Sequence, residues 1–186
     1  MARLRVLAGR IPGPVRGVTM IAPWAENFIG IPFQDHGRDF SGVDCYGLVH
    51  LVYSQVYRVV LNEWTEIYSD VSPGRELQAA MDTGRGLDHW WNRNREHPRT
   101  GDVVVLRING FFCHCGIVVD AQAGFFLHAE HQAGAIIESW RTPKWASRIG
   151  YFVYHSKAEY TNPRKPRYSA TRKPGHNVPA KVAIAP

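Results

Sequence analysis

The spacing of apolar positions changes along the chain, from helical intervals in the first half to alternation in the second. Between residues 24 and 29 the apolar side chains recur at helical spacing, and the Gly-Ile-Pro at 30–32 predicts the end of that helix. A longer helix is predicted from Cys45 to about Val59, and a short one around residues 75–81. The inward face of the longer helix is formed by Leu48, Val49, Val52 and Val56.

After residue 101 the pattern becomes that of β-strands. Short runs rich in β-branched and aromatic residues predict five strands, at 102–108, 113–119, 125–129, 135–140 and 150–155. The links between them are short and contain Asn-Gly or Ala-Gly pairs, which are typical of hairpins. Helices followed by a meander of about five antiparallel strands predict an α+β fold.

Length and composition fit one globular domain with basic ends. The 186 residues are 45% hydrophobic and 12% aromatic, enough for a substantial core. The net charge of +6 is uneven: residues 1–20 contain four arginines and no acid, and residues 157–186 contain seven Lys or Arg and one Glu. We therefore predict a domain at 21–156, a basic arm at 1–20 and a basic, proline-rich arm at 157–186. Because the excess charge lies in the arms, no nucleic-acid site is predicted.

The cysteine count and the N-terminus indicate the compartment. Three cysteines do not make an even disulfide framework, so reduced thiols are predicted. Arginines interrupt the N-terminal residues, which contain no apolar run of signal-peptide length, and no segment approaches a membrane span. The expectation is a protein that is made in the cytoplasm.

Cys45 is the strongest candidate for chemistry. It follows Asp44, a residue type that caps helices, and at a helix start the unpaired N–H groups and the helix dipole favour a thiolate. Strand alternation points His114 away from its two flanking cysteines, and the next predicted strand brings His128 near the middle of the sheet. A Cys at a helix start with a His on each of two neighbouring strands has the pattern of nucleophile, base and orienting residue.

A metal site is the rival interpretation of these residues. The potential ligands are Cys113, His114, Cys115, His128 and His131. Alternation separates His114 from the two cysteines, and Cys-x-Cys lacks the spacing usual for zinc. We predict no metal and no cofactor, and we interpret Cys113 and Cys115 as packing residues on the back of the sheet.

Four motifs together resemble the NlpC-type family of papain-like cysteine peptidases. They are Asp-Cys-x-Gly-Leu-Val at 44–49, Gly-Asp-Val-Val at 101–104, His-x-Gly-Ile-Val at 114–118, and Leu-His-Ala at 127–129 before Gly-Ala-Ile-Ile at 134–137. The resemblance spans about residues 24–155 and implies a papain-like NlpC fold, with the nucleophile at the start of a helix that packs on an antiparallel sheet. It implies that Cys45 is the nucleophile, His114 the base and His128 the residue that orients the base. The implied reaction is hydrolysis of peptide stems of bacterial peptidoglycan, commonly at γ-D-glutamyl bonds next to meso-diaminopimelate.

Some residues near the predicted nucleophile depart from the family pattern. Tyr46 stands where the family commonly has Ser, which changes the predicted substrate pocket. Phe33 stands where the family usually has Tyr, and so removes a hydroxyl donor near the nucleophile. The neighbouring Gln34 and the backbone N–H of Cys45 are the two candidate donors to an oxyanion. The predicted substrate-binding residues are Asp44, Tyr46, Phe33 and Gln34.

The resemblance also implies a setting for such an enzyme. NlpC-type domains of about this size occur in the tails of phages and gene-transfer agents, so the expected partners are peptidoglycan and the tail-tip or baseplate proteins that hold the basic arms. The expected location is a virion or phage-like particle that acts in the cell wall. Two alternatives stay open: a catalytically silent structural module of a tail, and an amidase or acyltransferase with the same thiol chemistry. Trp90 and Trp91 are interpreted as core or as the wall of a groove.

Overall fold

The computed structural model describes residues 20–64, 74–87 and 89–158. The predicted basic arms, except for their innermost residues, lie outside these ranges. The helices are a 3₁₀-helix at Pro23–Asn27, α1 at Cys45–Val52, α2 at Arg75–Leu87 and α3 at Pro143–Ala146. The strands are β1 at Arg38–Asp39, β2 at Gly42–Val43, β3 at Trp90–Arg93, β4 at Val103–Ile108, β5 at Phe111–Asp120, β6 at Phe125–Glu130, β7 at Gly134–Ser139 and β8 at Ile149–His155. No helix within the described ranges has the length and hydropathy to cross a bilayer.

The sequence predicts where the helices begin better than it predicts how long they are. Helix α1 begins at Cys45 as predicted, continues as one π-helical turn over Tyr53–Tyr57, and ends where Arg58 adopts a left-handed conformation with φ of 59°. Helix α2 begins at Arg75 as predicted, but it extends well beyond the expected end near residue 81. The helix continues through Gly84, where the indole of Trp64 packs so closely that a Cβ would lie 3.2 Å from its Nε1. The first predicted helix forms only a short 3₁₀-helix.

The five predicted strands all form, but the sheet has six strands and is not a simple meander. Its order is β3-β8-β4-β5-β6-β7, with every neighbouring pair antiparallel. Strands β4 to β7 follow one another as predicted, whereas β8 returns across the sheet to pair with β4. The edge strand β3 was not predicted, because its apolar residues Trp90 and Trp91 are adjacent and do not alternate with polar ones. In the structure the Arg93 guanidinium makes two hydrogen bonds, of 2.9 and 3.1 Å, to the fully buried Asp102 carboxylate. The predicted α+β class is confirmed.

The two faces of the sheet bury separate apolar clusters. On one face, α1 packs on β5 and β6, and Leu48, Val49 and Val52 meet Cys115 and Ile117. The other face is covered by α3 and its flanking residues, where the residues packed together are Val104, Leu106, Val118, Phe126, Trp140, Trp145 and Phe152. The strand β5 therefore lies between the helix that begins at Cys45 and the short helix that carries Trp145.

Candidate active site

The start of helix α1 is fixed by Asp44, which is fully buried. One of its carboxylate oxygens accepts a hydrogen bond of 2.6 Å from the backbone N–H of Gly47, so it caps the helix as predicted. The other oxygen accepts from the backbone N–H of His36 at 3.1 Å and from the guanidinium of Arg38 at 2.9 Å. Only glycine fits at position 47, because a Cβ there would collide with the carbonyl oxygen of Gly37. The loop before the helix is thereby tied to the residue that precedes Cys45.

Cys45 is the first residue of α1 and is almost completely buried. Its pKa is lowered to about 5, chiefly by a hydrogen bond with the thiol of Cys115 and also by a hydrogen bond and the charge of His114. Burial and the nearby negative charge of Asp44 act in the opposite direction. A thiol with this pKa is a thiolate near neutral pH, which is the nucleophilic form.

The structure corrects the interpretation of Cys115. As alternation predicted, Cys115 shares a face of β5 with Ile117. This face packs against α1, however, and is not the back of the sheet. The Cys115 thiol is next to Cys45, and its pKa is raised well above the usual value, first by the hydrogen bond with Cys45 and then by burial. Cys115 therefore stays protonated, and its S–H donates a hydrogen bond to the Cys45 thiolate. Alternation defines which side chains share a face, but it does not say which face a helix covers.

Cys113 is separate from this pair. It packs with Leu77 and Ala80 of α2, so it is a packing residue as predicted, but on the helix-covered face and not on the back of the sheet. Burial raises the pKa of its thiol. His114 points away from the flanking cysteines as predicted, and its ring stacks on that of Trp145 with centroids 5.8 Å apart and an interplanar angle of 11°. Within the described residues, no three His, Cys, Asp or Glu side chains are grouped so that they could hold a metal ion.

The two predicted histidines contact each other directly. His114 Nε2 and His128 Nδ1 are 3.0 Å apart, and His128 is fully buried. Gly116 makes this contact possible, because a Cβ there would meet the Cβ of His128 at 2.9 Å and the carbonyl of Leu127 at 2.7 Å. The structure therefore gathers the three residues expected to be catalytic: Cys45 lies beside His114, and His114 is bonded to His128.

A fourth residue of this arrangement was missed by the sequence analysis. Glu138 Oε2 is 2.9 Å from His128 Nε2, on the side away from His114. The only available signal was the register of the β6–β7 hairpin, in which Phe126 pairs with Glu138. Alternation then puts Glu138 on the face that carries His128. Trp145, which the sequence also gave no reason to select, donates its indole N–H to the same oxygen at 2.9 Å.

The predicted substrate-binding residues divide into two pairs. Asp44 and Tyr46 line a pocket together with Cys45, and the Tyr46 hydroxyl donates to the backbone carbonyl of Asn62 at 2.8 Å. Phe33 and Gln34 are not in the lining of that pocket. The Phe33 ring lies 5.1 Å from that of His131, and the exposed Gln34 packs over Gly42. The Cys45 backbone N–H is therefore better placed than Gln34 to donate to an oxyanion.

The pocket beside Cys45 is bordered by α1, α2 and the sheet. Its lining is mainly apolar: Val49, Leu77, Ala80, Met81, Trp90, Val103, Val105, Tyr151 and Val153 contribute to it. Arg85 adds a cation at the same pocket. Trp90 is partly buried, packs against the core at Tyr53 and forms part of the wall of the pocket, whereas Trp91 is largely exposed.

Comparison with known proteins gives a family match. A sequence model of the NlpC/P60 family matches residues 30–153, two thirds of the chain. The Murein DD-endopeptidase MepS/Murein LD-carboxypeptidase of Escherichia coli K12 is 26% identical over 119 residues, which are 64% of this chain and 53% of that protein. A probable endopeptidase of Haemophilus influenzae is 24% identical over 142 residues, 74% of each chain. The chain thus spans about half the length of the MepS relative.

A solved structure supports the fold. The crystal structure of an NlpC/P60 family protein from Bacillus cereus superposes with a TM-score of 0.52 at 17% identity, over 76% of this chain and 42% of that one. The predicted papain-like NlpC fold is confirmed by these likenesses.

Proposed function

The chain belongs to the NlpC/P60 family, and we propose that it is a thiol peptidase that hydrolyses the peptide stems of bacterial peptidoglycan. The observation that carries the proposal is the environment of Cys45, a thiol at a helix start with a pKa of about 5, beside a histidine that is itself bonded to a second histidine. The murein endopeptidase named among the relatives supplies the substrate class.

The residues would act in a thiol acyl-transfer reaction. The Cys45 thiolate attacks the carbonyl carbon of the scissile amide, a C–S bond forms, and the backbone N–H of Cys45 donates to the resulting oxyanion. His114, which holds the proton taken from Cys45, gives it to the leaving amine as the C–N bond breaks. His114 then deprotonates a water that attacks the thioester, and the C–S bond breaks to regenerate the thiolate.

The scissile bond that we propose is the γ-D-glutamyl bond next to diaminopimelate. The support is the resemblance of the four motifs to the NlpC-type pattern, while the E. coli relative is named for DD-endopeptidase and LD-carboxypeptidase activities. Cleavage of the γ-D-glutamyl bond, of the bond cut by a DD-endopeptidase and of the bond cut by an LD-carboxypeptidase yields different fragments. The pocket beside Cys45 adds one constraint, because Tyr46 narrows the space that a smaller residue would leave open at the helix start.

Incubation with defined muropeptides tests the proposal. The protein is expected to cleave monomeric tetrapeptide stems between the D-glutamate and the diaminopimelate, with uptake of one water, and mass spectrometry identifies both fragments. Cleavage only of cross-linked dimers would assign the cross-link instead. Failure to cleave any muropeptide or sacculus, with Cys45 still reactive toward alkylating reagents, would leave the thiol fold and reject peptidoglycan as substrate.

We also propose that the enzyme is carried by a phage or phage-like tail tip that crosses the cell envelope. The support is the basic composition of residues 1–20 and 157–186, on either side of the segment that matches the family. Ala158 packs in the main core, so the variant that tests this role lacks only residues 159–186. It is expected to hydrolyse peptidoglycan at the full rate and to be lost from purified particles. Equal incorporation of the full and shortened chains would reject the anchoring role.

A further inference from the structure

Glu138 is the residue of the site that neither the sequence pattern nor the proposed chemistry requires. It lies on β7 and points to the same face of the sheet as His128, diagonal to it in the β6–β7 pairing. Its side chain is partly buried, with 22% of the side-chain surface exposed. The role of this carboxylate depends on which neighbouring groups donate hydrogen bonds to it.

Three nitrogen atoms converge on one oxygen of Glu138. Oε2 is 2.9 Å from Trp145 Nε1, 3.1 Å from Lys144 Nζ and 2.9 Å from His128 Nε2. The indole N–H and the ammonium group donate only. Glu138 Oε2 therefore accepts from both. The carboxylate is ionised near neutral pH, because its pKa is lowered to about 2, first by the hydrogen bond with His128 and then by those from Lys144 and Trp145, against the effect of burial.

The state of His128 follows from this carboxylate. Because Oε2 accepts, His128 must carry a proton on Nε2. Burial is the largest effect on the pKa of His128 and lowers it to about 4, against the opposing effect of Glu138, so the ring is neutral near pH 7. A neutral imidazole with a proton on Nε2 has a lone pair on Nδ1. That lone pair faces His114 Nε2 at 3.0 Å, so His114 donates from Nε2.

We propose that Glu138 is a positioning residue that fixes the tautomers of both histidines and thereby leaves His114 Nδ1 as the nitrogen that takes the proton of Cys45. His114, His128 and Glu138 form a series of two hydrogen bonds. The Glu138 carboxylate sets the donor and acceptor of each bond, because it can accept a hydrogen bond but cannot donate one. The role of Nδ1 in catalysis rests on the proposed function, whereas the two tautomers do not.

The surroundings make Glu138 the only strong acceptor that the described residues offer to His128 Nε2. The His128 ring stacks on Phe126 with centroids 4.7 Å apart and meets the Trp145 ring edge-on at 5.3 Å. The other nearby acid, Glu130, is bonded to Lys144 at 2.8 Å and acts on His128 only through its charge. Lys144 and Trp145 hold the Glu138 carboxylate in place, and the stacked Trp145 ring keeps His114 in line with it.

Two substitutions separate the acceptor from the charge. Glu138→Gln retains an oxygen that can accept from His128 but removes the negative charge, and Glu138→Leu removes both. Glu130→Gln is the matched control, because it removes a carboxylate bonded to Lys144 without a hydrogen bond to His128. ¹⁵N NMR of the histidine rings reads the tautomers directly, and the resonances of His114 and His128 among the nine histidines are assigned with single His→Gln variants.

The wild-type protein is expected to show a proton on Nε2 and none on Nδ1 of His128. In Glu138→Leu the His128 ring is expected to become a mixture of tautomers. Alkylation of Cys45 by iodoacetamide near pH 6 is expected to slow by about tenfold to a hundredfold, by analogy with the loss of the carboxylates that orient metal-binding histidines. Glu138→Gln is expected to retain the Nε2–H tautomer and to lose less reactivity. Glu130→Gln is expected to match the wild type in both measurements.

Either of two results would overturn the proposal. One is a wild-type His128 with its proton on Nδ1, which is measured without any variant and so does not depend on the stability of Glu138→Leu. The other is a folded Glu138→Leu protein with wild-type tautomers and wild-type alkylation kinetics. Neither readout involves peptidoglycan, so the tautomer assignment can hold even where muropeptide cleavage fails, and the two proposals are tested separately.

Discussion

Replacement of Cys45 by serine is expected to reduce peptidoglycan hydrolysis by at least about 10³-fold, in keeping with the loss of a nucleophile in other acyl-transfer enzymes. Serine is close to cysteine in size and keeps the start of α1 intact, since the cap is made by Asp44. A hydroxyl is far less acidic than a thiol, so the hydrogen bond from Cys115 and the charge of His114 cannot ionise it. The measurement is release of soluble peptides from purified sacculi, identified by mass spectrometry.

Cys113→Ser is the control for this experiment. Cys113 is as deeply buried as Cys45 but packs against α2, so the substitution tests the effect of a buried serine without touching the reacting thiol. It is expected to keep the wild-type rate, with thermal unfolding of both variants compared in parallel. Cys115→Ser does not serve as a control because Cys115 is hydrogen-bonded to Cys45. Hydrolysis by Cys45→Ser at the wild-type rate would contradict the assignment of Cys45 as nucleophile.

Local sequence rules predicted the features that depend on local structure. The start of α1 followed from an Asp before a Cys and an apolar helical face, and the cap and the first helical residue are where that pattern put them. The five strands followed from β-branched runs and hairpin pairs, and the contact between His114 and His128 followed from two histidines on neighbouring strands. These predictions required no knowledge of which elements pack together.

The features that were missed depend on contacts between distant parts of the chain. The pairing of β8 with β4 and the addition of β3 to β8 at the edge join strands that lie about 45 to 60 residues apart in the sequence. The position of Cys115 beside Cys45 depended on which face of β5 α1 covers, and alternation is symmetric between the two faces. Predicting that Glu138 lies beside His128 required the exact register of the β6–β7 hairpin.

Replacement of His114 by glutamine is expected to abolish hydrolysis on the same scale and also to change the acidity of Cys45. Glutamine cannot take the thiol proton or return it to the leaving amine, although its side chain can still bond to His128. His114 lowers the pKa of Cys45 through a hydrogen bond and through its charge, so its removal raises that pKa, while the hydrogen bond from Cys115 remains. Activity and thiol reactivity should therefore fail together near neutral pH.

The pH dependence of alkylation has a definite sign. In the wild type, the thiolate of Cys45 forms as the pH rises through about 5, so iodoacetamide should modify Cys45 near pH 6 before Cys113 or Cys115, whose pKa values are raised. In His114→Gln the midpoint moves to higher pH. Alkylation near pH 6 is then slower than in the wild type. At alkaline pH the alkylation rates of the two proteins become equal, because Cys45 is ionised in both.

His131→Gln provides the matched control, because His131 is an exposed histidine at the end of β6 whose ring contacts Phe33. It is expected to leave both hydrolysis and the alkylation midpoint unchanged. If His114→Gln lost hydrolysis but kept the wild-type midpoint, His114 would act only as the proton donor to the leaving group, and the acidity of Cys45 would come from Cys115 and the helix start alone. If it kept hydrolysis as well, the proton transfer would have to be assigned to another group at the pocket.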